Sequence, residues 1–523
     1  MSETGSARPG SPAEGGDPKA PGADLAALAK GGRTNFIGFL LRLAARLPFL
    51  FIAGRLYGAD QLGRFASALV IIEICGQLAT LGLKRGLARE LGAEARADSH
   101  VVADGLVLSL LTSTVFAAIL FVFPEPMFPN GMNSRRWDIY LPIAIVMLGV
   151  TEVMLAALAY RYNIAATVRS RSIVEPWSLS IMAGVFWLIP ATRDGGLALS
   201  YLFSVVAAAL TALVPMIRMY GIPYGWTPQI IRLAAIARDN FPLALADAIE
   251  WGTRRLDIAI LGILVSPATV GIYYVAVQVA SLPQKLKTSF EPILGPVIVR
   301  KLNDKDYPAI AKQVCQAGFW IIAAQAGIAL ALGIPGEGVM GLVGPNFVSG
   351  TGALAFLLLA EVVASTAVVS EAALIYMARM KNLFVSVLTL LLQGVLTVGI
   401  ILGMKALGLN ELYQAAGAAL ALVFALAFAS IVKSRMLGRI LQESINNFRW
   451  PLVWAVAPAV VVGFAFTQGP EWLELSLGIP AILGTYGYVI WKRGFGPEDR
   501  VLFRNARKLE EQLDPLPPEA KGR

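Results

Sequence analysis

Apolar runs long enough to cross a bilayer recur along almost the whole chain, and they leave few folds open to it. A hydrocarbon core needs roughly 20 apolar residues as a helix, and such runs lie near 35–57, 64–84, 101–123, 139–160, 171–190 and 196–217. After a polar connection they resume near 241–265, 269–299, 311–333, 350–377, 382–404 and 410–432, and a final pair lies near 451–467 and 472–491. The sequence therefore predicts an all-α polytopic membrane protein of about fourteen spans. Hydrophobic residues make up 56% of the chain and charged residues 15%, a balance foreign to soluble globular proteins.

Charge placement fixes the orientation. Of 44 Lys and Arg residues, the predicted outer connections hold Arg64, Arg135, Arg136, Arg193 and Lys405, while the opposite side holds residues such as Lys84, Arg85, Arg161, Arg169, Arg300, Lys301, Lys433 and Arg435. By the positive-inside rule both termini are cytoplasmic. The net charge of +9 is thus topological and predicts no nucleic-acid partner. Cys75 and Cys315 sit in apolar runs and His100 is the lone histidine, so neither a metal site nor Ser-His catalysis is expected. Outer connections near 124–138 and 334–349 are too short to carry a polymerase or ligase site, so the chain is not expected to be an enzyme.

An offset of 208 residues superposes Arg46 on Arg254, Gly54 on Gly262, Gly63 on Gly271, Phe65 on Tyr273 and Ala68 on Ala276 without a gap. That spacing reads as a repeat of six spans, which preserves orientation and relates two lobes by an axis along the membrane normal. The expected organisation is a cytoplasmic tail (1–34), an N-lobe (35–217), a cytoplasmic linker (218–240), a C-lobe (241–432), a connection (433–450), a terminal helix pair (451–491) and a second tail (492–523). Residues 1–34, rich in Gly, Pro, Ser and Ala, read as disordered, and no cleavable signal precedes the first span.

Charges inside the spans carry the functional reading, because a central charge costs at least about 2.5–3.5 kcal/mol unless it meets water or a partner. Arg42 and Arg46 lie one turn apart in the first span, and Asp247, Glu250, Arg254 and Asp257 fall within an arc of about 80° on the seventh. The eighth span carries Lys285, Lys287 and Glu291 among Pro283, Pro292 and Pro296, which should bend it. Lys287 can pair with Glu291, leaving Lys285 for a ligand. Arg42, Arg46, Arg254 and Lys285 are therefore read as a cationic cavity that attracts anions. Glu73, Asp247, Glu250, Arg255, Asp257, Lys287 and Glu291 are candidates for the cavity wall or for ion coupling. Glu73, Glu152, Glu361 and Glu371 read as isolated acidic points, whereas Arg55, Asp104 and Glu175, near helix ends, read as salt-bridge or interfacial residues.

The stretches "FIGFLLRLAARLPFLFIAGRLYGADQLGRFASALVIIEICGQLATLGL" and "RLDIAILGILVSPATVGIYYVAVQVASLPQKLKTSFEPILGPVI" resemble spans one, two, seven and eight of Wzx-type polysaccharide flippases. These belong to the multidrug/oligosaccharidyl-lipid/polysaccharide exporter superfamily. "LVGPNFVSGTGALAFLLLAEVV" and "YQAAGAALALVFALAFASIVKSRML" are similar to its tenth and twelfth spans. The resemblance implies two six-helix lobes in a V around a central cavity, working by alternating access in a bacterial inner membrane. Its implied cargo is an undecaprenyl-pyrophosphate-type lipid-linked oligosaccharide for O-antigen, capsule or exopolysaccharide assembly. A polysaccharide polymerase and a chain-length regulator are the implied partners, alongside membrane lipids. It implies no cofactor, but coupling to Na+, H+ or the membrane potential. A multidrug exporter and a lipid II flippase of the same superfamily are the alternatives.

Overall fold

The computed structural model describes residues 47–93, 96–129, 137–303 and 305–496; the side chains of residues 250, 284–297, 299, 300 and 303 lie outside the description. All regular structure among the described residues is helical. The first lobe is built from α1 (Gly58–Ala79), α2 (Leu83–Gly92), α3 (Asp98–Val122), α4 (Ile143–Tyr160), α5 (Glu175–Leu188) and α6 (Gly196–Tyr220). Then come α7 (Ile230–Leu264), α8 (Pro267–Asn303), α9 (Tyr307–Gly333), the short α10 (Gly336–Val343), α11 (Thr351–Met377), α12 (Arg379–Ala406) and α13 (Glu411–Leu441). A terminal pair follows, α14 (Pro451–Thr467) and α15 (Ile479–Val489).

Nine helical stretches among the described residues are long and apolar enough to cross a membrane, and Pro451–Thr467 adds a shorter apolar one. Neither α7 nor α8 is among the nine, although both are long, because their sequences carry the charges noted above. Such helices are tolerated in a bilayer only where those charges face protein or a water-filled cavity.

Two reversals organise the lobes. Phe49 and Phe65 are sixteen residues apart, which would separate them by about 24 Å on a straight helix, yet their ring centroids lie 6.2 Å apart. The chain therefore doubles back, and it does so at Gly58, whose φ of 78° and ψ of 175° a side chain would strain. In the second lobe Asp257 and Tyr273, also sixteen residues apart, meet through a 2.5 Å hydrogen bond from the Tyr273 hydroxyl to the Asp257 carboxylate. These are the equivalents of Phe49 and Phe65 at the 208-residue offset. The same hairpin is thus closed by an apolar ring contact in one lobe and by a buried polar pair in the other.

Side-chain burial shows how the lobes lie. One large core joins them where the two hairpins turn, combining Tyr57, Leu62 and Phe65 with Ile258, Val270, Tyr273 and Phe347. Away from the turns the core divides, with Leu83, Val101, Leu158 and Ile236 forming one cluster and Ile298, Ile310, Leu374 and Leu437 another. The lobes are therefore fused at one end and separate at the other, which makes the V. A fourth cluster, including Phe319, Leu452, Ala455 and Tyr486, attaches the terminal pair to α9.

Helix α7 belongs to both lobes. It begins at Ile230, inside the segment read as a linker, and Leu233 and Ile236 pack into the first lobe's separate core. Asp104 on α3, fully buried, fixes the chain just before it: the Trp226 indole N–H donates to it at 2.8 Å, Arg96 lies at 3.3 Å, and Arg232 at 3.3 Å. On α8 the helix runs unbroken from Pro267 to Asn303 despite its prolines, and the Pro283 carbonyl accepts a 3.1 Å hydrogen bond from the Gln325 amide of α9.

Candidate substrate cavity

Between the diverging lobes lies a cavity of about 490 Å3. Its walls come from α1 (Phe65, Glu73, Gln77), α2 (Lys84), α4 (Glu152), the approach to α5 (Arg171, Glu175), α6 (Tyr201), α7 (Trp251, Arg255) and α8 (Tyr274, Gln278). Apolar and aromatic surface with a few convergent polar groups is the usual make-up of a ligand site.

Four of those charges form one network. Arg171 donates from Nη1 to Glu175 at 2.6 Å and from Nη2 to Glu152, and Lys84 Nζ lies 3.7 Å from the other Glu152 oxygen. Arg171 and Glu152 keep 14% and 17% of their side-chain exposure, so their attraction is little screened, and loss of either would strand a charge in a poorly solvated place. Arg171 sits on a π-helical turn, Val168–Val174, immediately before α5. Such turns widen a helix locally and are frequent at functional sites. Counted over the described lining residues, Glu73, Glu152 and Glu175 balance Lys84, Arg171 and Arg255.

The structure distributes the sequence candidates unequally. Arg42 and Arg46 lie outside the described residues, as do the side chains of Glu250, Lys285, Lys287 and Glu291. Glu73 and Arg255 line the cavity, with the Arg255 guanidinium 5.5 Å from the Trp251 ring centre. Arg254, one residue earlier and so rotated by about 100°, is exposed and absent from the cavity lining. Asp247 is buried and pairs with Arg85 of α2 at 3.0 Å. Asp257 is 2% exposed and bonded to Tyr273, within the core that joins the lobes.

Two residues read as isolated have partners. Glu152 is held by Arg171 and Lys84, and Glu371 accepts from Lys433 at 2.9 Å and from Asn382 at 3.2 Å, with Ser386 3.0 Å from the same ammonium. Those partners come from other helices, so spacing along one span does not reveal them. Arg171, Lys84 and Trp251 escaped the sequence reading as cavity residues. The i, i+4 spacing of Arg171 and Glu175 was a legible sign of their pairing, but nothing local points Lys84 or Trp251 toward a shared space. Among the described residues no cluster of His, Cys, Asp and Glu could hold a metal ion.

Solved structures place this architecture. The chain superposes on a lipid II flippase, MurJ, in an inward closed conformation with a TM-score of 0.67 at 11% identity, over 89% of this chain and 99% of that one. An inward-facing multidrug resistance MATE family transporter of the MOP superfamily gives 0.62 at 14% identity, over 77% and 94%. A MOP superfamily transporter from Pyrococcus furiosus, described as having a binding pocket of reverse polarity, gives 0.57 at 13% identity, over 80% and 96%. At such identities the likeness is one of fold. No curated protein sequence matches the chain. The family of polysaccharide biosynthesis proteins matches over residues 52–323, more than half of the chain, and with these folds it bears out the resemblance read from the sequence. The chain belongs to the polysaccharide biosynthesis protein family and is a multi-pass membrane protein with the fold seen in MOP superfamily structures.

Proposed function

We propose that this protein carries an isoprenoid-pyrophosphate-linked oligosaccharide from the cytoplasmic to the outer leaflet of a bacterial inner membrane, for the assembly of a surface polysaccharide. The observation that carries the reading is a charged, aromatic-lined cavity enclosed by two lobes that are joined at one end and separate at the other. In this reading the separate end faces the cytoplasm, where the basic connections lie. The head group enters between the lobes, the lobes rock, and the lipid tail stays in the bilayer.

Arg255 offers an anion-binding guanidinium on the cavity wall, and a guanidinium meets phosphate oxygens in a bidentate fork. Arg42, Arg46 and Lys285 belong to the same proposal through their place in the sequence. Outward movement of an anionic head group is favoured by an inside-negative potential by about 2.3 kcal/mol per charge per 100 mV, so the membrane potential itself can drive the step, with Na+ or H+ as the ion if one is coupled. A polymerase and a chain-length regulator would act on the delivered cargo.

Lipid II transport is the second reading, favoured by the match over 99% of the lipid II flippase structure. Deleting the chain from its host separates the two. Lipid-linked oligosaccharide of the surface polymer should accumulate on the cytoplasmic side while peptidoglycan synthesis continues. Arrest of peptidoglycan synthesis would favour lipid II, and drug sensitivity without accumulation of either would sink both.

A further inference from the structure

A carboxyl group is buried where the terminal helix pair meets the second lobe, and nothing packed on it can balance a negative charge. Glu474 is 7% exposed and opens a π-helical turn, Glu474–Gly478, that leads into α15. A Cβ on Gly338 would lie 3.4 Å from its Oε2, so the group is seated against the backbone of α10, and the adjoining Leu475 packs on the same glycine.

The surrounding elements supply only more acid. Helix α10 contributes Glu337, and Glu471 stands one turn before Glu474; both are exposed, and both face Glu474 as like charges. Helix α14, whose Phe466 packs on Gly478, has no titratable side chain. On α15, Tyr486 lies deeper, against Gly327 of α9, and Tyr488 is exposed. Glu474 has neither a cation nor a hydrogen-bond donor as a partner among the described residues.

A lone carboxylate withdrawn from water is costly, and the common remedy is to give up its charge. A bound metal ion would be another remedy, but among the described residues no group of His, Cys, Asp and Glu could hold one. Proton uptake meets the need: it removes the buried charge and ends the repulsion from Glu337 and Glu471. Those two side chains are open to solvent on the side read as outer. Their negative charge concentrates cations, protons included, beside the buried carboxyl.

We infer that Glu474 is a proton-binding site, loaded from the outer side, whose proton docks the outer end of the terminal helix pair onto α10. The dock bears on more than the pair, whatever the cargo. Helix α10 also carries Met340 and Val343 into the core that joins the lobes, and Leu475 and Ile479 pack against that core as well. Loss of the proton loosens the terminal pair at the lobe junction.

The test uses the purified full chain in lipid nanodiscs. Infrared difference spectra across a pH titration should show a C=O stretch of a protonated carboxyl that fades as pH rises and is missing from Glu474→Gln. Glu337→Gln and Glu471→Gln, which alter exposed side chains, should each make that component fade at a lower pH, because a like charge has gone. Hydrogen exchange over residues 336–343 and 471–478 reads the dock. Gln has the size of a neutral carboxyl and does not titrate, so Glu474→Gln mimics the loaded site. Native protein and Glu474→Gln should exchange alike in acid, and the native protein several-fold faster in alkali; comparison at each pH cancels the intrinsic pH dependence of exchange. An identical carboxyl titration in native protein and Glu474→Gln overturns the site, and equal exchange at every pH overturns the dock. Should Glu474→Gln fail to fold, the two exposed variants decide the matter, and a carboxyl titration that neither of them moves overturns the site.

Discussion

Gly63 and Gly271 face each other where α1 and α8 cross, each against the backbone of the other's hairpin. A Cβ on Gly63 would fall 1.7 Å from the Pro267 carbonyl oxygen, and one on Gly271 would fall 2.0 Å from the Ala59 carbonyl oxygen. Pro267 and Ala59 are themselves equivalent at the 208-residue offset, so the contact is reciprocal, as a two-fold axis requires. The neighbouring pair behaves alike: Gly54 packs across the interface on Val343, and Gly262 on Ser67 and Pro129 of the other lobe. The internal repeat and the seal between the lobes are thus one feature.

From this contact comes the first prediction. Gly63→Ala or Gly271→Ala pushes a methyl group into backbone that cannot step aside, at a cost of about 1–3 kcal/mol. In the proposed alternating-access cycle these helices separate, which would make the cost specific to the state seen here and shift the population roughly fivefold to a hundredfold toward the opposite one. Spin labels on α1 and α8 beside the turns should report longer distances in either variant. Unchanged distances would show that the glycines do not hold the seal.

The Arg171 network gives a second prediction. Arg171→Ala leaves Glu152 with only the distant Lys84 and Glu175 with no partner in the network, and breaking a buried pair this way costs about 3–5 kcal/mol. Replacing Arg171 by Met together with Glu152 and Glu175 by Gln removes the stranded charges and should recover much of that loss. Unfolding temperatures of the detergent-solubilised variants measure both effects.

A third prediction uses the two lobes as each other's control. Tyr273→Phe deprives the buried Asp257 carboxylate of its hydroxyl donor and should cost about 1–3 kcal/mol. Adding Asp257→Phe copies the Phe49–Phe65 contact of the first lobe and should restore part of the stability. If the double variant is stable yet transports nothing, the polar pair serves transport, the role in ion coupling read for Asp257 from its sequence position.

The clamp on α3 supplies a fourth. Asp104→Ala removes the common acceptor of Trp226, Arg96 and Arg232, freeing the chain ahead of α7. Amide hydrogen exchange over residues 221–232 should rise while α3 itself stays protected. An unchanged exchange pattern would mean that apolar packing alone holds the segment.

The repeat, the reversals and the unusual charge of α7 and α8 were legible because each is written in local order: an apolar run, a glycine, a spacing. The cavity was less so. Arg255 and Arg254 differ by one residue, and hydropathy cannot say which of two adjacent arginines a helix turns inward. The union of Lys84, Glu152, Arg171 and Glu175 depends on helices meeting from three parts of the chain, so no spacing along one span announces it. The closeness of α1 and α8 at Gly63 and Gly271 was visible only as a matched pair of glycines, without the backbone that explains them.

Central to this account is the movement of a glycosylated lipid across a bilayer. In proteoliposomes loaded with undecaprenyl pyrophosphate bearing a short oligosaccharide on the inner leaflet, capture of the sugar by an external lectin measures it. Native protein should expose the sugar in a time-dependent way, faster with an imposed potential that drives anions outward, and Arg255→Ala should slow it at least about tenfold, the loss of one charge-assisted contact. Sugar exposure no faster than in protein-free vesicles would contradict the account.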